Sequence, residues 1–390
     1  MKYRFTSRVI FHAYQAVYSQ ATQDMETAMD FGIFLLVQHR DKHKTSGQII
    51  REAIEQVKAA DRLGFSTAWF AEHHFNNYGL CPSPLMMAAH CAGVTSNIRL
   101  GTGVVIAPLY SPPRLIEDIA FVDQLSNGRL NVGIGGGYQH YEFERFGTTL
   151  ENAKERTLET LDMIELGLTR KKFQFDGEFL KQPTTAISVR PVQQPIPPVW
   201  VATADTRLMA KAIANDYHVF VSGWLGGEKL LKNVRDQIDT IATQEGKTAD
   251  EVKVGLLRFA FASDNAAEVD RYIECARYQQ RIAVSLKQRT ESLEDDYMVA
   301  EKPYDNEISL EKIKDNLPVG SVDTVIERLL RDIKTVKPVH VAIQTQFGDL
   351  DHATMLKQLQ LWSQEIIPAV KAEIANWKRA GQTAPADAQR

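Results

Sequence analysis

IRLGTGVVIAPLYSPPRLIEDIAFVDQLSNGRLNVGIGGGY, residues 98–138, reads as one strand–helix–strand unit. Residues 98–106 form a β-branched, apolar run suited to a strand. Residues 113–125 set apolar side chains at helical spacing behind two prolines, and residues 130–134 make a second short apolar strand. Strands joined through a helical crossover lie parallel. Both strands carry glycines that packing does not obviously require: Gly101 and Gly103 in the first, Gly133, Gly135, Gly136 and Gly137 around the end of the second. Glycine weakens a strand, so it marks either a bulge or bare backbone that a flat ligand can approach. The run GIGGGY misses the GxGxxG fingerprint because Tyr138 holds its sixth place. It also follows the fourth strand, where an opening βαβ unit would carry it on the first, so a dinucleotide Rossmann reading is weak.

The same rhythm continues in both directions. Upstream come a strand at 30–37, a helix at 46–63 with Ile49, Ile50, Ala53, Val57 and Ala60 on one face, a strand at 67–74 and a helix at 84–94. Downstream come a helix at 150–168, strands at 199–202 and 218–222, a helix at 228–245, strands at 252–262 and 339–345, and a closing helix at 352–374. Eight strands alternating with helices predict an α/β fold, a (β/α)8 TIM barrel over residues 29–375, since eight parallel strands close a barrel. Insertions follow strand four (173–198, rich in Pro and Gln) and strand seven (264–320, charged), and long connections of this kind read as functional lids or mobile segments. Met29 directly precedes the first strand, so residues 1–28 read as an arm outside the barrel and 376–390 as a flexible tail.

With 45 Lys and Arg against 49 Asp and Glu, the net charge is −4 and no dense basic block occurs, which argues against nucleic acid or an anionic membrane as partner. No apolar run approaches the roughly 20 residues of a membrane helix. Three cysteines without CxxC spacing read as buried small hydrophobes in a reducing cytoplasm.

In such barrels the working residues lie at the C-terminal ends of the strands. Strand two ends in Glu72-His73-His74. Alternation sends the two histidines to opposite faces, and no HExxH spacing exists, so no metal is expected. Following Trp69 and Ala71, His73 is the one aimed at the barrel mouth, a candidate general acid or base. Strand five ends in Ala202-Thr203-Ala204-Asp205-Thr206-Arg207 before an apolar helix. Thr203, Asp205 or Thr206 suits a helix cap, and free amides there equally suit a phosphate.

WFAEHHFNNYGL (69–80), CPSPLMMAAH (81–90), the unbroken stretch 101–147, NLPVGSVDTVIERL (316–329) and SQEIIPAV (363–370) together resemble the bacterial-luciferase-like flavin monooxygenases over roughly residues 29–370. The resemblance implies a luciferase-like barrel, reduced FMN supplied by a separate flavin reductase, O2 as co-substrate through a flavin C4a-peroxide, a small organic substrate and a homodimer. His73 matches the family's catalytic histidine and Glu72 its acidic neighbour. Gly103–Val104, after Thr102, falls where the family places a non-prolyl cis peptide against the flavin ring. Lys154 aligns with a phosphate-binding arginine, and Ala202, Thr203 and Thr206 with the other phosphate contacts. Gly135-Gly136 stands where luciferase has Cys-Arg, so light emission from an aldehyde is not expected. Phe34, Tyr110, Tyr138 and Trp224 are expected to exclude water, with ordinary barrel packing as the alternative for each. Two rivals share the fold: a deazaflavin (F420)-dependent dehydrogenase and a non-catalytic partner subunit, in which the histidine matching His73 is replaced.

Overall fold

The alternation legible in residues 98–138 runs around the whole barrel of the computed structural model, which describes residues 29–379. The strands are β1 (Asp30–Leu35), β2 (Thr67–Phe70), β3 (Arg99–Thr102), β4 (Leu130–Gly135), β5 (Val199–Ala202), β6 (His218–Ser222), β7 (Val254–Phe259) and β8 (His340–Gln344). Each pairs in parallel with the next, and β8 closes on β1 from Asp30↔His340 to Ile33↔Ile343. The flanking helices include α1 (Ser46–Arg62), α2 (Pro84–Ala92), α3 (Pro112–Leu125), α4 (His140–Arg145), α5 (Ala153–Thr169), α6 (Thr206–Ala214), α7 (Glu228–Gln244), α8 (Ala266–Gln288), α9 (Leu310–Asn316) and α10 (Val322–Val336). Local chemistry starts them: Thr45 and Gln48 form a reciprocal capping box ahead of α1, and prolines open α2 and α3.

Strand alternation separates two cores. Phe31, Ile33 and Leu35 of β1, with Val132, Ile134, Val201, Val219 and Ile343, pack outward against the helices. Phe34, Trp69, Trp200, Phe220 and Ala342 fill the barrel interior. The fully buried Trp69 donates Nε1–H to His340 Nε2 at 2.9 Å, and Trp200 stacks on His218 at 3.9 Å. Here Gly101 has a packing reason that its sequence did not reveal. A Cβ at that position would sit 2.3 Å from the Trp69 ring. Arg258 of β7 and Asp332 of α10, both fully buried, pair at 2.7 Å, and Arg258 also donates to the Gly226 carbonyl.

Several boundaries differ from expectation. The third strand breaks at the cis Gly103–Val104 peptide and resumes as Val105–Ile106 on β4. The second leaves the ladder after Phe70, although the Ala71 amide still reaches the Leu35 carbonyl. The excursion after α5 holds an antiparallel hairpin, Phe173–Asp176 with Lys181–Thr185, whose turn amides are gathered by the Glu159 carboxylate. In the second insertion, α8 runs for 23 residues before a short hairpin (Leu293–Glu294 with Met298–Val299) and α9. The closing helix continues to Arg379, four residues into the stretch read as a tail, while residues 1–28 and 380–390 lie outside those described. Among the described residues all three cysteines are free and buried, and no helix is long and apolar enough to cross a membrane.

Candidate active site

Past Phe70 the chain keeps the alternation of β2 without its ladder, and the two histidines diverge. The His73 amide bonds the Cys81 carbonyl, which pins the loop. Its Nδ1 lies 2.9 Å from Glu142 Oε1 on α4. His74 turns to the other side, where Nε2 meets Glu72 Oε1 at 2.8 Å. The expected separation of the pair is therefore observed, with one carboxylate for each ring. Among the described residues no group of three or more His, Cys, Asp and Glu is placed to hold a metal ion.

Glu142 went unnoticed in the sequence. It sits in the charged stretch YEFER, yet it is only 1% exposed and also accepts the His74 amide at 2.9 Å. A carboxylate accepting from Nδ1 holds the ring proton on that nitrogen and leaves Nε2 for a reactant. Glu72 does not reach His73. Its second oxygen accepts the Ile106 amide at 3.1 Å and the Tyr110 hydroxyl at 3.0 Å, so it clamps the chain just beyond the cis peptide. Burial raises the Glu72 pKa, and the bonds from His74, Ile106 and Tyr110 oppose that shift without cancelling it.

Around His73 the structure gathers Tyr78 (ring centroids 4.6 Å apart), Tyr138 (6.2 Å) and, beyond Tyr138, Trp224 (6.2 Å). The Tyr138 hydroxyl donates to that of Tyr78 at 3.3 Å, and burial pushes the Tyr78 phenol up to about 12, so both stay neutral at ordinary pH. Phe34 lies beneath the cis peptide, where a Cβ on Gly103 would come within 2.9 Å of its ring. Tyr110 is placed apart from this group, on the Glu72 branch.

Gly103 and Val104 are half-buried, between the fully buried Thr102 and Val105. The Thr102 hydroxyl is spent on β4, bonding both the amide and the carbonyl of Gly133 at 2.8 Å. Gly135 packs under Val104, and a Cβ there would sit 2.8 Å from that side chain. Gly136 is half-buried, and the nearest atom to a Cβ there would be Thr157 Oγ1 at 3.4 Å. The half-buried backbone of Gly103, Val104 and Gly136 thus lies together beyond the ends of β3 and β4, with the Ala202 carbonyl of β5 alongside Gly135.

Next to it lies the corner formed by α5 and α6. Lys154 Nζ meets Asp205 Oδ2 at 3.0 Å, and Asp205 caps α6 through the Arg207 and Leu208 amides. Thr203 accepts the Asp205 amide, and Thr206 is exposed as the first residue of α6. Half-buried backbone beside two exposed cations, each paired with a carboxylate, is where a flat ring that carries a phosphate, the shape of FMN, would be accommodated.

A family model described as luciferase-like monooxygenase matches residues 29–335. The chain is 48% identical over 346 residues to the uncharacterized protein y4vJ of Sinorhizobium fredii (strain NBRC 101917 / NGR234), covering 89% of this chain and 99% of that one. The oxygenase component of the flavin-dependent trigonelline monooxygenase of Acinetobacter baylyi (strain ATCC 33305 / BD413 / ADP1) is 32% identical, over 61% of this chain and 66% of its own. Among solved structures, monooxygenase RslO1 from Streptomyces bottropensis superimposes with a TM-score of 0.75 at 21% identity, over 87% of this chain and 99% of that one. The oxygenating constituent of 3,6-diketocamphane monooxygenase from Pseudomonas putida, in complex with FMN, gives 0.71 at 22%, over 88% and 99%. An F420-dependent secondary alcohol dehydrogenase gives 0.69 at 16%, over 88% and 99%. The last three agree in fold, and the long family match decides the rest: the chain belongs to the luciferase-like monooxygenase family.

Proposed function

We propose that the chain is the oxygenase of a two-component system, taking FMNH2 from a separate flavin reductase and O2 from solution to oxygenate a small organic molecule. One observation carries this reading: His73, held at Nδ1 by the buried Glu142, stands at the barrel mouth among Tyr78, Tyr138 and Trp224. Reduced flavin, when bound, supplies the two electrons with which O2 gives one atom to the substrate and the other to water. The backbone of Gly103, Val104, Gly135 and Gly136 would hold the ring, and Lys154, Thr203 and Thr206 would hold the phosphate. His73 holds or delivers a proton at Nε2, and the orientation of that atom is set by Glu142. Phe34, Trp224 and the phenols keep water from the reacting face. The exposed Met86 of α2 with Phe121 and Leu125 of α3 supports a homodimer through these two helices.

The test is anaerobic titration with reduced FMN followed by rapid mixing with O2. Expected are saturable binding and flavin reoxidation slower than that of free FMNH2, with the delay lost in His73→Ala. Absence of FMNH2 binding overturns the proposal and turns the reading to hydride transfer with a deazaflavin, where O2 has no part.

A further inference from the structure

The corner assigned to the flavin phosphate already holds an anion. Asp205 is largely buried, with 12% of its side chain exposed, and each of its oxygens is engaged. Oδ1 accepts the amides of Arg207 at 3.0 Å and Leu208 at 3.3 Å, two of the donors that the start of α6 offers to an anion. Oδ2 takes Lys154 at 3.0 Å. The Arg207 guanidinium lies 3.4 Å from Oδ1 and 2.7 Å from Glu155 Oε1. Two cations therefore face two carboxylates, and the corner is close to neutral before any ligand arrives. A phosphate monoester brings a charge of about −1.5 to −2 at neutral pH. It cannot use those two amides while Asp205 holds them, and it meets a like charge at short range if Asp205 stays. Lys154 and Arg207 are both more than half exposed on flexible stems and are free to swing toward a phosphate.

We infer that Asp205 is a built-in counter-anion of the phosphate corner, which the FMN phosphate must displace, so that Asp205 sets flavin affinity and keeps the flavin exchangeable. The inference rests on the proposed reading of the site and adds a consequence for it. A flavin delivered by another protein has to arrive and leave in every turnover. A carboxylate that competes for the same lysine and the same amides weakens the hold on the phosphate without touching the backbone assigned to the ring. Riboflavin, which lacks the phosphate, escapes the competition and reports on that backbone alone.

The experiment measures dissociation constants for reduced FMN and reduced riboflavin by anaerobic titration, read from quenching of protein fluorescence, in the unaltered protein and in Asp205→Asn and Asp205→Ala. Asparagine caps a helix about as well as aspartate, so the first variant removes charge and keeps the cap, whereas alanine also frees the amides. Unchanged thermal midpoint and circular dichroism of Asp205→Asn verify that its fold is intact. Expected is tighter FMN binding by about tenfold in Asp205→Asn, the scale of one close charge–charge term, with riboflavin unaltered within about twofold. Asp205→Ala is expected to tighten FMN at least as much. Unchanged or weaker FMN binding in Asp205→Asn overturns the inference, because Asp205 would then be aligning Lys154 for the phosphate. Equal tightening of both flavins overturns it as well, since the effect would not pass through the phosphate. Binding of neither flavin to any of the three proteins overturns the flavin reading itself, a result distinct from the other two.

Discussion

Acid should weaken this barrel from the N-terminal end of its strands, where His218 and His340 open β6 and β8, and His218→Phe should remove half of the effect. His340 is buried under Trp69, and burial, reinforced by the nearby His218, pushes its pKa down to about 3. His218 stacks on Trp200, where burial first and the charges of Lys253 and Arg99 after it lower the value to about 4. In the unfolded chain both titrate near 6.5. Above that pH neither state takes up a proton, and the pair contributes no pH dependence. As pH falls below 6.5 the unfolded chain binds protons that the folded rings refuse, so stability is lost down to pH 4 for His218 and pH 3 for His340. One pH unit corresponds to about 1.4 kcal/mol, so at pH 5 each ring has cost about 2 kcal/mol and the pair about 4. Phenylalanine keeps a flat ring on Trp200 and cannot be protonated, and any loss of the His218 interaction with the Val199 backbone is the same at every pH at which the folded ring is neutral. Urea unfolding at pH 8, 6.5 and 5 gives the assay. Whatever the substitution costs at pH 8, the gap between variant and wild type should move by about 2 kcal/mol in favour of the variant at pH 5. Parallel stability curves for the two proteins would refute the reasoning, as would a folded-state His218 titration near 6.5 by NMR.

Other expectations follow from the same geometry. Asp332→Asn leaves the Arg258 guanidinium fully buried and unpaired and should cost about 3–5 kcal/mol by urea midpoint. The double substitution Arg258→Met with Asp332→Leu should cost less than that single change, and a larger loss would count against the pair as the cause. Gly101→Ala forces a Cβ into the Trp69 ring and should destabilise by about 1–3 kcal/mol with an altered near-UV tryptophan signal, whereas an unaltered signal would show that the ring is not where the packing puts it. Glu142→Gln should lower oxygenated product per FMNH2 consumed by about 100-fold while FMNH2 affinity stays within about twofold. Full coupling in that variant would remove Glu142 from the proposed role.

The barrel was legible because parallel strands covered on both faces run almost continuously apolar, and β4 to β8 fall within a few residues of where that pattern puts them. The end of β2 was less so. AEHH continues the side-chain alternation of the strand after the backbone ladder has stopped, and sequence reports the first property and not the second. Partners distant in the chain were invisible for a related reason. Gly101 owes its identity to a ring on the neighbouring strand, Lys154 and Asp205 meet from two helices 51 positions apart, and Glu142 lies 69 positions from His73. None of these residues has a local pattern that announces its partner. The cis Gly103–Val104 peptide was expected only through the family resemblance, and nothing in the dipeptide itself encodes it.

The two carboxylates also divide the work differently from what adjacency suggests. Glu72, next to His73 in sequence, spends its oxygens on His74, on Tyr110 and on the Ile106 amide, and so holds the backbone that leaves the cis peptide. Glu142, remote in sequence, touches the ring that faces the mouth. A perturbation of Glu72 should therefore act through the position of the backbone beyond the cis peptide, and one of Glu142 through the His73 ring. Strand alternation is what makes the two separable: one residue of offset sends His73 and His74 to opposite sides, and each side needs its own acid.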